Sequence, residues 1–509
     1  MNSISRRTLL QSIAATSVVA ASTTSALAAK SDRTWDKTAD VLIIGGGFAG
    51  LTAAVTAARV GAKVIVIDKR LWLGGDGLMS AGQFYTARTP YHDKVGITKN
   101  VEIEDYWKQI CAGTDDEPLS KVRDNLPLSV IYSGINKHDP EVLHRSAQYS
   151  PKVIEFVASY GIEFMPMNPA KPFQLPTVNG SMSKFVKGML DELSERKVEI
   201  IKGLRAEKLV KEGEAVVGAE ATYSVGKSKG KSLSIGAKSV IVATGGFLDS
   251  EYLMKRYKRY WTKAPTGFTA VGEGVPDDHT GDGIIMGKKV GAAVEDMECM
   301  PKFYAAPQKG TPGISWIMFD VDTAYLVGPD GKRFTNEHLS RYSGCALKMM
   351  SGNIVAGYAI FDEATFKGPN RERWQFAKAL AGKGLFKADT PEALAEAVGI
   401  DPKGLRETID QINKDAASGK DSEFGRTDRL FRALKAPFYI TAANYPVRYK
   451  TEGGLEVNPD FQVITAADES VIPGLYAVGS TCGSISTRLC DVVASGLIVG
   501  PIAAAAAKR

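Results

Sequence analysis

Apolar residues fall in short runs, several of them closed by glycine, and the first run sets the reading of the N-terminal half. Asp40-Val41-Leu42-Ile43-Ile44 is a continuous apolar stretch of strand length, the pattern of a parallel strand buried on both faces. It meets Gly45-Gly46-Gly47-Phe48-Ala49-Gly50. The spacing from Leu51 to Val60 then predicts a helix, and Val64 to Ile67, ending at Asp68, predicts a second strand. Later runs repeat the strand-then-glycine pattern: Val240-Ile241-Val242 leads into Ala243-Thr244-Gly245-Gly246, and Ile472-Pro473-Gly474-Leu475-Tyr476-Ala477-Val478 leads into Gly479-Ser480. Ala359 to Asp362 reads as a strand, and Pro391 to Val398 and Gly404 to Ala417 read as helices. Ser224 to Lys231, rich in Gly, Lys and Ser, reads as a hairpin turn. These elements predict an α/β fold without internal repeats.

Strand, glycine turn, helix, strand and acid occur in the order of a dinucleotide fold. Gly45 allows the tight turn, Gly47 lets backbone N–H groups approach a pyrophosphate, and Gly50 lets helix and strand pack closely, with Ala49 between them. The helix N-terminus faces the phosphates. Asp68, 23 residues after Gly45 and followed by Lys69, is placed to accept hydrogen bonds from a ribose. A glycine-rich loop, Gly74-Gly75-Asp76-Gly77-Leu78-Met79-Ser80-Ala81-Gly82, comes next and would pass close to an extended cofactor. With Thr244-Gly245 and Gly479-Ser480 it favours FAD, because a simple NAD domain has no need for a return strand so late in the chain.

Composition narrows the class. The 509 residues are 44% hydrophobic and 24% charged, which excludes disorder and allows two or more packed units. The net charge of +6 arises from 63 basic and 57 acidic residues without a basic block, so nucleic acid is not an expected partner. Cys111, Cys299, Cys345, Cys482 and Cys490 form no Cys-x-x-Cys pair and none precedes a histidine, so neither covalent haem nor an iron–sulfur site is expected, and no metal site is predicted. Ser5-Arg6-Arg7-Thr8-Leu9-Leu10 opens a weakly apolar run that ends at Ala26-Leu27-Ala28-Ala29. Paired arginines before such a run read as a twin-arginine signal over residues 1–28, cleaved near Ala28, and predict export to the periplasm.

The glycine turn, Thr280-Gly281-Asp282-Gly283, Gly331-Lys332-Arg333-Phe334-Thr335-Asn336-Glu337, Thr451-Glu452-Gly453-Gly454 and the late Pro-Gly-Leu-Tyr segment occur in one order. That order resembles the soluble fumarate reductase flavoprotein family, which includes fumarate, urocanate and acrylate-type reductases. The resemblance implies a Rossmann-like FAD-binding domain over residues 38–298 and 450–507, with an inserted α+β clamp domain over 299–449. It adds Asp282 to the cofactor contacts. It also implies non-covalent FAD, since Arg70-Leu71-Trp72-Leu73 carries no histidine at the attachment position of membrane-bound relatives.

Reducing an activated C=C bond needs a hydride donor, an acid for the other carbon and cations for the substrate carboxylate. Counting four residues from Glu337 places the family's proton-donating arginine at Arg341. Arg488 matches its carboxylate-binding arginine, a planar fork suited to that group. Thr451, at the head of the return segment, joins Arg488 as a substrate contact. The family's neighbouring asparagine and double glycine are replaced by Thr487 and Cys490-Asp491. Its two substrate histidines fall at Tyr304 and Tyr449, and none of His92, His138, His144, His279 or His338 takes their place. No Glu-x-x-Arg relay is visible upstream of Arg341, where Asp320 and Asp322 are the candidates for that role. Tyrosines offer neutral donors and flat faces where a dicarboxylate enzyme presents imidazoles. The expected substrate is therefore a monocarboxylate such as urocanate, cinnamate, acrylate or methacrylate, rather than fumarate. Trp72, Trp107 and Trp316 are expected to pack.

Two other readings stay open. A 3-ketosteroid-type dehydrogenase would also use tyrosines, although Arg341 and Arg488 would then lack a carboxylate to bind. A flavoprotein that only relays electrons would leave both arginines unexplained. For a reductase, the expected electron source is a separate c-type cytochrome or quinol-linked membrane protein.

Overall fold

The computed structural model describes residues 33–80, 82–99, 101–111, 139–165, 174–178, 181–258, 279–298, 302–307, 324–337, 348–349, 352–367, 384–427, 431–485 and 488–509. The signal segment, Ala81 and Arg341 lie outside them, as do His138, His338, Cys299, Cys345, Trp316, Asp320, Asp322 and Thr487.

The apolar run at 40–44 is the buried end of β1 (Lys37–Ile44), whose Val41 to Ile43 are fully buried. Helix α1 (Phe48–Arg59) connects it to β2 (Val64–Asp68), and the two strands pair in parallel with Val41 opposite Val64. A short ribbon of β3 (Gln83–Tyr85) and β4 (Gln174–Pro176) follows, with α2 (Pro140–Ser159) between its strands and α3 (Ser181–Glu195) after it. The chain then forms β5 (Glu199–Lys202), β6 (Leu204–Glu212), β7 (Ala215–Tyr223) and β8 (Ser232–Val242). The expected hairpin at 224–231 is the turn between antiparallel β7 and β8.

Helix α4 (Asp282–Lys289) and β9 (Val294–Glu295) precede β10 (Lys302–Pro307). Four strands then build an antiparallel sheet of their own: β11 (Tyr325–Val327), β12 (Tyr358–Asp362), β13 (Leu385–Ala388) and β14 (Phe438–Thr441), in the order β11-β12-β14-β13. Helix α5 (Pro402–Ser418) is capped by the Asp401 carboxylate, which accepts the Lys403 N–H, and its Leu405, Ile409 and Ile412 close a core with Tyr325, Ile360 and Ile440. Strand β15 (Asn444–Lys450) pairs antiparallel with β10. The chain returns through β16 (Gly454–Leu455), β17 (Gln462–Ile464) and β18 (Val471–Ala477) and ends in α6 (Leu489–Ala507).

The large sheet has the order β17-β18-β8-β1-β2-β5, and β18, β8, β1, β2 and β5 run parallel. Their carboxyl ends therefore open on one edge, where ligands bind in open α/β sheets. Helix α6 is long and apolar enough to cross a membrane, yet most of it is buried in this fold. Its Gly496 and Gly500 lie so close to α1 that a Cβ would come within 2.5 Å of the Ala49 carbonyl and 2.0 Å of the Thr56 hydroxyl. Its hydrophobicity serves helix-on-helix packing.

Candidate functional site

Four connections meet at that edge: the turn after β1, the glycine loop after β2, the turn after β8 and the turn after β18. Gly45 adopts φ +112°, and a Cβ there would lie 2.3 Å from the Ala243 carbonyl. Gly50 is closer still, with a Cβ 2.0 Å from the Gly45 carbonyl, so only glycine lets α1 start against the turn. Gly47 differs: a Cβ there would meet nothing within 4 Å. That open space sits at the N-cap of α1, where backbone N–H groups and the helix dipole favour a pyrophosphate.

The glycine loop lies directly on this turn. Gly74 donates its N–H to the Gly46 carbonyl at 2.8 Å, and a Cβ on Gly75 would touch the Gly47 Cα at 3.2 Å. Ser80 closes the loop by donating to the Gly77 carbonyl at 2.8 Å, and Gly82 packs on Thr177. Asp68 accepts the Gly46 N–H at 2.7 Å and the Arg70 N–H at 2.8 Å. Burial raises its pKa, and these two bonds hold it back only in part. The acid is thus fixed beside the turn by backbone donors.

Across β1, Thr481 accepts the Gly245 N–H at 2.9 Å and lies 3.3 Å from the Thr244 hydroxyl, which in turn accepts the Gly283 N–H at 3.1 Å. A Cβ on Gly479 would approach Ala49 at 2.8 Å, and half-buried Ser480 follows in the same turn. Asp282, at the head of α4, is gripped by Arg205 at 3.0 and 2.6 Å and by the Thr280 hydroxyl at 2.7 Å. Lys69 donates to Thr280 at 2.8 Å and stands 3.5 Å from Asp282. Burial alone would raise the Asp282 pKa; Arg205, Lys69 and Thr280 outweigh it and lower it. The expected cofactor residues other than Ala81 are therefore gathered at one edge. Asp282 stands there as the hub of an ion-pair cluster with Arg205, a residue that carried no sequence signal because its partner is 77 positions away.

The residues expected to touch substrate are placed by other elements. Buried Thr451 accepts the Phe247 N–H at 3.0 Å, which ties the return segment to the turn after β8. Arg488 is the N-cap residue of α6, with its guanidinium 5.4 Å from the centre of the Tyr85 ring, and Tyr106 donates to the Tyr85 carbonyl at 2.8 Å. Asp491, three residues on, is fully buried, and its charge acts on Tyr106 in the sense opposite to that of Arg488. The backbone register sets Tyr304 of β10 opposite Val447 of β15, two positions from Tyr449, which occupies an irregularity between paired neighbours. The side chains of both tyrosines lie outside the described part of the structure, as does Arg341.

Glu337 is described up to the edge of that gap. It is fully buried, with Arg333 at 3.0 Å and Arg426 at 3.3 Å, and it accepts the Leu326 N–H at 3.0 Å. Arg333 also pairs with Asp421 at 3.0 Å. Glu295 was not singled out by sequence. Its carboxyl contacts the Ser484 hydroxyl beside the turn after β18, and burial, reinforced by Asp296, Glu456 and Asp139, pushes its pKa up to about 9.

The sequence profile of the FAD binding domain family matches residues 40–491. The chain belongs to that family. Its cofactor is FAD, and the residues present fit it: an open position at Gly47, an acid beside the turn and the N-terminus of α1 at the same place, a setting suited to phosphates. A probable fumarate reductase of Shewanella frigidimarina is 27% identical over 494 residues, covering 92% of this chain and 75% of the relative. A urocanate reductase of Eggerthella lenta is 27% identical over 489 residues, with coverage of 92% and 75%. Among solved structures, the open conformation of a flavocytochrome c3 fumarate reductase superposes with a TM-score of 0.72 at 25% identity, covering 93% of this chain and 79% of that one. The flavoprotein is thus an FAD-dependent oxidoreductase homologous to fumarate reductases, and the resemblance read from its motifs is borne out.

Proposed function

We propose that this flavoprotein is an exported, periplasmic reductase of the C=C bond of an α,β-unsaturated monocarboxylate, of the urocanate, cinnamate, acrylate or methacrylate kind, in preference to fumarate. FAD, held non-covalently and reduced by the electron donor, would supply the hydride for one alkene carbon. Arg341 gives a guanidinium proton to the other, Arg488 grips the carboxylate with its planar fork, and the Thr451 hydroxyl supports the same end of the substrate. Tyr304 and Tyr449 present neutral donors and flat faces to the substrate side group. The clamp over residues 299–449, inserted in an FAD-binding domain of 38–298 and 450–507, carries Arg341 and both tyrosines. Electrons come from a separate c-type cytochrome or quinol-linked membrane protein.

The observation that carries the substrate preference is the pairing of β10 with β15, which brings the Tyr304 and Tyr449 positions onto one stretch of one ribbon. Replacing Tyr449 with Phe is expected to cut turnover strongly while leaving FAD bound, whereas unchanged kinetics would remove Tyr449 from the site.

The two tyrosines also favour a second reading, a 3-ketosteroid-type dehydrogenase that takes hydride from a saturated ring carbon. Arg488 counts against it, because a neutral steroid has no carboxylate to bind. Steroid-dependent reduction of an artificial dye, with no turnover of any enoate, would favour this second reading. A purely electron-relaying flavoprotein would show neither activity.

A further inference from the structure

His279 joins two loops that the dinucleotide turn separates. Its Nε2 lies 2.7 Å from a carboxylate oxygen of Asp76, in the glycine loop after β2. Its Nδ1 lies 3.4 Å from Asp249, in the turn after β8, and its own backbone N–H donates to the same carboxylate at 3.0 Å. In the sheet β2 and β8 flank β1, so a bridge between their following loops crosses the carboxyl end of β1, where the open position at Gly47 lies. The loop on the Asp76 side rests on that turn through Gly74 and Gly75, and the segment on the Asp249 side begins at Ala243, in contact with Gly45.

We propose that the Asp76–His279–Asp249 bridge is a charged staple across the dinucleotide turn that retains FAD by holding the two flanking loops together. His279 is a positioning residue in this account, acting on the cofactor through those loops. The staple has a buried anchor and an exposed catch: the side chains of His279 and Asp249 are 12% and 13% exposed, against 58% for Asp76. Opening at Asp76 frees the glycine loop without unfolding the anchor. The proposal rests on the chain binding FAD and is independent of which enoate it reduces.

The charge on His279 is set by its neighbours. Burial disfavours the imidazolium, but Asp76 and Asp249 outweigh it and push the pKa up to about 10. Among the described residues, Asp282 is matched by Arg205 and Lys69, and the Lys258 ammonium stands 5.2 Å over the Phe247 ring. The staple is therefore charged at neutral pH and opens as pH rises toward about 10.

The test uses the full FAD-loaded protein and follows FAD release on dilution by the rise in flavin fluorescence. His279→Gln is expected to release FAD about ten-fold faster at pH 7, the change that about 1.4 kcal/mol produces. Asp76→Asn, at the exposed end, is expected to speed release without lowering the melting temperature of the FAD-free protein. His279→Lys, which keeps the charge, should restore slow release. Wild-type release should accelerate as pH rises toward 10, and His279→Gln should show no such rise. Release unchanged in both the His279→Gln and Asp76→Asn proteins, or equal destabilisation of the FAD-free and FAD-loaded forms without faster release, would overturn the proposal and leave a merely structural tie.

Discussion

The Thr481 hydroxyl accepts the Gly245 amide N–H at 2.9 Å, joining two turns 236 residues apart in the chain. This bond fixes the return segment against the turn after β8, at the carboxyl edge of the sheet where we place FAD. Thr481→Val keeps the shape and leaves the Gly245 N–H without its acceptor, a loss of about 1–3 kcal/mol. The FAD-loaded protein should melt lower and bind FAD about ten-fold more weakly by fluorescence titration. Equal melting temperature and affinity would mean that the bond contributes nothing to the cofactor edge.

Gly47 and Gly50 separate the needs of the fold from those of the cofactor. A Cβ at Gly47 meets nothing within 4 Å, and its φ of −76° suits any residue. Gly47→Ala should therefore leave the FAD-free protein as stable as wild type while filling the space we assign to the pyrophosphate, weakening FAD binding about ten-fold or more. Gly50→Ala forces a Cβ to 2.0 Å from the Gly45 carbonyl and should lower the stability of the FAD-free form itself. Thermal melting of both variants without FAD distinguishes the two effects, and equal melting temperatures would contradict this assignment of roles.

Glu295 makes stability depend on pH. Its folded pKa, pushed up to about 9 from 4.5, means that folding favours the protonated acid. Its contribution is complete below about pH 4.5 and is lost as pH rises through about 9. His279 acts in the same direction over a higher window, so the comparison must be with a variant. Glu295→Gln keeps a neutral side chain and should melt higher than wild type at pH 8 and close to wild type at pH 5. A constant difference across that range would show that Glu295 does not titrate there.

Arg333 and Glu337 form a buried ion pair extended to Asp421 and Arg426. Removing one partner strands the other charge, which typically costs about 3–5 kcal/mol. Glu337→Gln should lower the melting temperature by several degrees. Because Glu337 stands four residues before Arg341, it should also reduce turnover with little change in FAD affinity. A protein of unchanged stability would argue that the pair is not load-sharing.

Strands β1 and β2 and the carboxyl end of β8 were legible because a parallel strand buried on both faces is an unbroken apolar run, and β18 because its Leu475-Tyr476-Ala477 end is buried and leads into Gly479. The boundaries moved where the sequence pattern stops being apolar: β8 begins at Ser232, in a polar antiparallel stretch, well before the run at Val240. Helix α5 extends two residues before the expected Gly404 because Asp401 and Pro402 supply its cap. The residues gathered at the carboxyl edge of the sheet were legible wherever a contact is local. Arg205, His279 and Thr481 were not, since each acts through a partner far away in sequence and an isolated Arg, His or Thr carries no spacing signal.

The most direct test of the central claim is anaerobic oxidation of reduced methyl viologen by the FAD-loaded protein, with fumarate, urocanate, cinnamate, acrylate and methacrylate offered in turn. The proposed function predicts turnover on at least one monocarboxylate, little on fumarate, and loss of that turnover in both Arg341→Ala and Arg488→Ala proteins that still bind FAD. Turnover on fumarate alone, or activity that survives both substitutions, would contradict it.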